Sequence, residues 1–172
     1  MLIEYSKLIG LPVYDIESKR RVAELSGFFV DEDEKKIEVI IAKTKGLIKK
    51  TVFIPQKELI ELLKDGLIIE NEESLVPPTE MVRFNKKMKR RPKIIGQRVE
   101  TKNGDYIGKV SDFVIENSSL SITRLYVKRI FDQRIIHASA ILKIDEKRIV
   151  IKDKFEMAKP EIAPMNAKIE PA

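Results

Sequence analysis

The chain states one pattern twice. Ile9-Gly10-Leu11-Pro12-Val13 returns as Ile95-Gly96-Gln97-Arg98-Val99, and Phe28-Phe29-Val30-Asp31 as Phe113-Val114-Ile115-Glu116. Thr51-Val52-Phe53-Ile54-Pro55 returns as Arg134-Ile135-Ile136-His137, and Leu67-Ile68-Ile69-Glu70 as Ile149-Val150-Ile151-Lys152. The spacing drifts only from 86 (Gly10 to Gly96) through 85 (Val30 to Ile115) to 82 (Leu67 to Ile149), as small loop changes would produce. A self-match at a steady offset means one structural plan built twice. The pattern divides the chain into a first repeat at 1–76, a basic linker at 77–92, a second repeat at 93–154 and a flexible tail at 155–172.

Within each repeat, short runs of β-branched and aliphatic residues are separated by turn signals every 8–12 residues, the signature of a small barrel or sandwich. The second repeat predicts strands at Gln97–Thr101, Ile107–Ile115, Ile122–Val127, Arg134–His137, Ala140–Ile144 and Arg148–Lys152. Asn103-Gly104 suits a type I′ hairpin turn, because both residues tolerate positive φ. Ile107, Val110, Phe113 and Ile115 form the inward side, and the slip in alternation between Val110 and Phe113 predicts a β-bulge. The first repeat predicts strands at Val22–Val30, Ile37–Lys43 and Lys50–Ile54, the last halted by Pro55. Gln56–Asp65, with Leu59, Ile60, Leu62 and Leu63, suits a short helix capped by Gly66. The fold class expected is all-β: two tandem small β-barrels with one short helix in the first. Beyond Phe155, prolines at 160, 164 and 171 among Ala, Lys and Glu leave little to bury, so a disordered tail is expected.

Each repeat is about 70 residues, small enough that the halves should lean on one another. The chain has no cysteine, which excludes disulfides and thiolate metal sites and suits a cytoplasmic protein. Glu4 and Lys7 break any N-terminal apolar stretch, and no apolar run is long enough for a transmembrane helix. The net charge of +6 is not spread evenly. Residues 1–80 sum to −4, residues 94–172 to +3, and the thirteen residues between them to +7. Such a distribution favours a local contact over global nucleic-acid steering.

The pattern Ile-Gly-x-x-Val, a turn, Ile107-Gly108-Lys109-Val110 with Asp112, then an apolar strand ending in an acid resembles the PRC-barrel domain. Ile54-Pro55 followed by Leu59 resembles it too. The resemblance covers residues 6–71 and 92–153, and the second copy matches better. The first has Ala23 and Gly27 where the second has Gly108 and Asp112, and the second has His137 where the first has Pro55. The resemblance implies a six-stranded barrel-like fold and a docking role in larger assemblies. Such domains occur in the photosynthetic reaction-centre H subunit and in a ribosome-maturation factor. The former has a transmembrane helix absent here, and the latter pairs its barrel with a different domain.

Catalysis needs convergent polar groups, and the inventory is thin. His137 is the sole histidine, at a strand end without an evident partner. No nucleophile elbow or phosphate loop occurs. Asp31-Glu32-Asp33-Glu34 lacks calcium-loop spacing and its glycine, so it reads as a solvated hairpin tip. No enzyme activity, metal or cofactor is expected. Two candidate surfaces emerge. Arg83, Phe84, Lys86, Lys87, Lys89, Arg90, Arg91 and Lys93 form a basic cluster able to neutralise phosphates, with Phe84 placed to stack on a base. The same run also suits a solvated, self-repelling linker. Leu47 and Ile48 put two aliphatics in a hairpin tip, and Tyr126, Ile130 and Phe131 form a matching patch, suited to protein contact unless they pack inward. The leading expectation is a cytoplasmic adaptor for a protein partner. An RNA- or ribosome-associated factor acting through the basic linker is the first alternative, and a scaffold on an anionic membrane surface the second.

Overall fold

Alternating β-branched residues dictate strands, and in the computed structural model nearly every apolar run becomes one. Residues 1–81, 93–155 and 157–158 are described. The first repeat contributes β2 (Pro12–Asp15), β3 (Arg20–Asp31), β4 (Lys36–Thr44), β5 (Thr51–Pro55), β6 (Leu59–Leu63) and β7 (Gly66–Ile69). The second contributes β8 (Arg98–Thr101), β9 (Tyr106–Glu116), β10 (Ser121–Arg129), β11 (Asp132–His137), β12 (Ile141–Ile144) and β13 (Arg148–Ile151). Each repeat curls its sheet the same way. A long hairpin (β3–β4, β9–β10) carries a further antiparallel strand (β5, β11), and a parallel pairing (β2 with β7, β8 with β13) closes the other side.

The bulge expected in β9 is present. Ser111 is the extra residue, the register shifting between Asp112↔Tyr126 and Val110↔Val127. The first repeat carries the same bulge at Ser26, between Leu25↔Ala42 and Gly27↔Ile41. The two serines make the same bond: Ser26 Oγ donates to the Ile41 carbonyl and Ser111 Oγ to the Tyr126 carbonyl, each at 3.2 Å. Each hydroxyl thus gives a carbonyl in the irregular ladder a partner. The inward side of β9 is as expected, with Ile107, Val110, Phe113 and Ile115 all buried.

Two local expectations are corrected. Residues 56–65 are not a helix: Gln56–Glu58 is a single 3₁₀ turn, and Leu59–Leu63 is β6, paired with β7. Over five residues the apolar pattern fits either period, and the partner strand decides. The short helix of the first repeat is α1 (Tyr5–Leu8) instead. Nor is Asn103-Gly104 a type I′ turn, because Asn103 does not take positive φ. Thr101 and Asp105 close a three-residue loop in which the Gly104 N–H donates to the Thr101 carbonyl at 2.9 Å and Gly104 alone is left-handed.

The repeats are not separate beads. A strand at the chain start, β1 (Leu2–Glu4), crosses over to pair with β9 of the second repeat. Tyr5 stacks on Phe113 with ring centres 4.7 Å apart and meets Phe28 edge-on at 5.8 Å. Ser6 Oγ donates to Asp112 at 2.5 Å, and the Ser6 N–H to the same carboxylate at 3.1 Å. Lys35 Nζ reaches the Ile141 carbonyl at 2.9 Å, and Asn117 Nδ2 the Leu62 carbonyl at 3.0 Å. β4 and β10 pair at Lys36↔Ser121, so one sheet runs through both halves over one hydrophobic cluster. At the far end β14 (Met157–Ala158) pairs with β11, much as Val76 pairs with Phe53 in the first repeat. The rest of the expected tail, 159–172, lies outside the described residues, as does residue 156.

Candidate functional site

A loop joining two strands is normally filled by Gly, Asn, Asp or Ser, whose backbones or side chains satisfy the turn. The two outer hairpins break that rule in the same place. Between β4 and β5 the chain reads Lys45-Gly46-Leu47-Ile48-Lys49-Lys50, and between β10 and β11 it is only Ile130-Phe131. The first tip is fastened by the Thr44 N–H to the Lys50 carbonyl at 2.9 Å and the Lys50 N–H to Thr44 Oγ1 at 3.0 Å. The second closes directly at Arg129↔Asp132.

Leu47 and Phe131 are fully exposed, Ile130 is 89 % exposed and Ile48 78 %. These are the four most exposed large apolar side chains of the described residues. They do not fold back over a barrel end. Ile130 also sits at φ +29°, which a β-branched side chain rarely adopts. Cations surround both pairs. Lys43, Lys45, Lys49 and Lys50 flank the first tip with no acid between 43 and 50. Lys128 and Arg129 precede the second, and Lys109 lies opposite Lys128 in the ladder. Asp132, which follows the second tip, is occupied by Arg134 Nε at 2.9 Å. Sequence reasoning named the apolar pairs and missed these lysines and arginines as part of the same surface. The signal was their position beside an apolar turn.

Tyr126 does not join Ile130 and Phe131. It is half-buried on β10, its hydroxyl 3.5 Å from Glu4 of the crossing strand, and burial pushes the phenol above its usual pKa. Arg83, Phe84, Lys86, Lys87, Lys89, Arg90 and Arg91 lie outside the described residues. Lys93, exposed, lines a groove of about 430 Å³ with Tyr5, Phe28, Ile41, Ile94 and Phe113. His137 borders a cleft of about 350 Å³ with Ser139, Lys152 and Lys154, and no carboxylate is among the described residues lining it. Asp31 caps its own turn, its Oδ1 accepting from the Asp33 and Glu34 N–H groups at 3.0 and 2.8 Å. No group of three or more potential metal ligands forms among the described residues. No helix among them is long and apolar enough to cross a membrane.

Comparison with known families agrees with the doubled architecture. The family model described as the PRC-barrel domain matches residues 1–76 and, a second time, residues 86–157. No curated protein matches the chain.

Proposed function

Because this chain belongs to the PRC-barrel domain family, with two copies of the domain in one continuous sheet, we propose that it is a non-enzymatic adaptor attaching to a larger assembly through its two outer hairpin tips. The observation that carries this reading is the placement of Leu47, Ile48, Ile130 and Phe131 in solvent on the corresponding hairpin of both repeats. Exposed apolar pairs among cations suit a surface that is buried on contact and steered by charge. The His137 cleft offers less, since the described residues lining it with the imidazole include two lysines and no carboxylate to orient or activate it. A cytoplasmic setting fits a chain without cysteine.

The test compares the tagged protein with a variant carrying Leu47→Asp, Ile48→Asp, Ile130→Asp and Phe131→Asp. Both are incubated in detergent-free native lysate, with and without nuclease, and retained components are identified. The adaptor reading expects the retained set to be nuclease-resistant and lost in the variant, whose fold survives because all four side chains point into water. Retention that is unchanged in the variant refutes the tips. Retention that vanishes with nuclease transfers the function to the basic segment and RNA.

A further inference from the structure

The junction between the repeats decides where the tips go. β4 and β10 meet antiparallel at their first residues, Lys36 and Ser121, and from there run in opposite directions. Each strand is nine residues long, so at about 3.3 Å per residue the tips are carried apart by up to roughly 50 Å. They lie at opposite ends of the joined strands. The molecule has two outward-facing ends.

The repeats have kept the chemistry of these ends and not their shape. One end is Leu-Ile on a six-residue loop, the other Ile-Phe on a two-residue loop with a strained backbone. A protein pocket reads shape, since its anchors must fill it. The boundary of a bilayer reads only apolar area and charge. Both ends supply those two things: a pair of exposed apolar side chains, and lysines or arginines immediately beside them to meet anionic headgroups. The backbone strain points the same way, because Asn or Gly would sit in the Ile130 position at lower cost.

We propose that the two hairpin tips are opposed lipid anchors. Leu47 and Ile48 enter the headgroup–acyl boundary of one anionic bilayer and Ile130 and Phe131 that of another, so that the protein bridges two membrane surfaces. The proposal rests on the docking reading above and names the occupant of the same tips. A single tip is a weak, reversible anchor; many molecules between the same two surfaces share the load.

The chain has no tryptophan, so Ile48→Trp and Phe131→Trp each place a sole indole at one tip. Each full-length reporter is mixed with vesicles of phosphatidylcholine containing phosphatidylserine, or of phosphatidylcholine alone, and emission and vesicle clustering are read together. Each reporter should shift to the blue with the anionic vesicles only. In the Ile48→Trp background, Lys45, Lys49 and Lys50→Gln should weaken that shift's vesicle affinity on the order of a hundredfold. Leu47→Asp with Ile48→Asp should leave the Phe131→Trp shift intact and abolish clustering. Thermal melts alongside confirm that each variant is folded. Absence of a blue shift at both tips overturns the proposal; if lysate capture still depends on the tips, docking stands and its occupant is a protein. Sedimentation with vesicles but without a blue shift assigns the attraction to other basic residues and equally overturns the anchors. A blue shift without clustering refutes the bridging.

Discussion

Replacing Gly108 by alanine would place a methyl carbon 2.5 Å from the Lys128 carbonyl oxygen and 2.8 Å from Val127 Cγ1. Gly108 lies on β9, opposite Val99 and close against Val127 and Lys128 of β10, and its φ is +155°. Two costs combine. The backbone conformation is disfavoured for any residue with a Cβ, by about 1–3 kcal/mol. The methyl group meets main chain that cannot rotate away, so β9 and β10 must part, and overpacking of this kind costs about 1–3 kcal/mol. The total, about 2–6 kcal/mol, should lower the melting temperature by roughly 4–24 °C for a chain of this size. Gly10→Ala is the matched control, since Gly10 has φ +88° and nothing within 4 Å of a Cβ. It carries only the conformational cost. Thermal and urea unfolding of both variants measure the difference, which isolates the contact with Lys128. If Gly108→Ala costs no more than Gly10→Ala, the close approach of the two strands is not a constraint and the reasoning fails. Ala23, the corresponding residue of the first repeat, has no positive φ, so that repeat needs no glycine there.

Ile130→Gly should stabilise the protein by about 1 kcal/mol by relieving the backbone at φ +29°, read as a raised urea midpoint; a lowered midpoint would mean that the isoleucine side chain supports the turn. The Glu116 carboxyl is held down at about 2, chiefly by the Ser118 hydroxyl, then by the Met1 ammonium and Ser119. Its native pKa lies below its unfolded one, so its contribution to stability is complete above about pH 4.5 and fades as the pH falls through about 2. Carboxyl-resolved NMR titration should find that midpoint, and Glu116→Gln should flatten the acid limb of the stability curve between those values; an ordinary carboxylate midpoint would remove the Ser118 bond from the account.

Much of each repeat was legible along the chain because a strand writes itself locally. Side chains alternate with period two, so the inward set of β9 and the bulge at Ser111 could be read from Val110 and Phe113 without any partner strand. The bulge of the first repeat was as readable, since Ser26 and Ser111 stand 85 residues apart in the same setting. The candidate site was half legible. Leu47, Ile48, Ile130 and Phe131 stood out because turns rarely spend apolar residues. Grouping Tyr126 with them failed because its surroundings come from Glu4, on a strand that reaches β9 across more than a hundred residues.

The sequence by itself determined that there are two copies of one β plan, where their long hairpin strands run, and which side chains of β9 face inward. Tertiary structure alone decided that Leu59–Leu63 is a strand, that β1 belongs to the other repeat's sheet, and that β4 and β10 join at their starts and send the tips apart. The division has one physical cause. Burial imprints a period on neighbouring residues, whereas strand pairing is made by backbone N–H and C=O groups that are the same at every position, so which distant edges meet is settled only when the whole core closes.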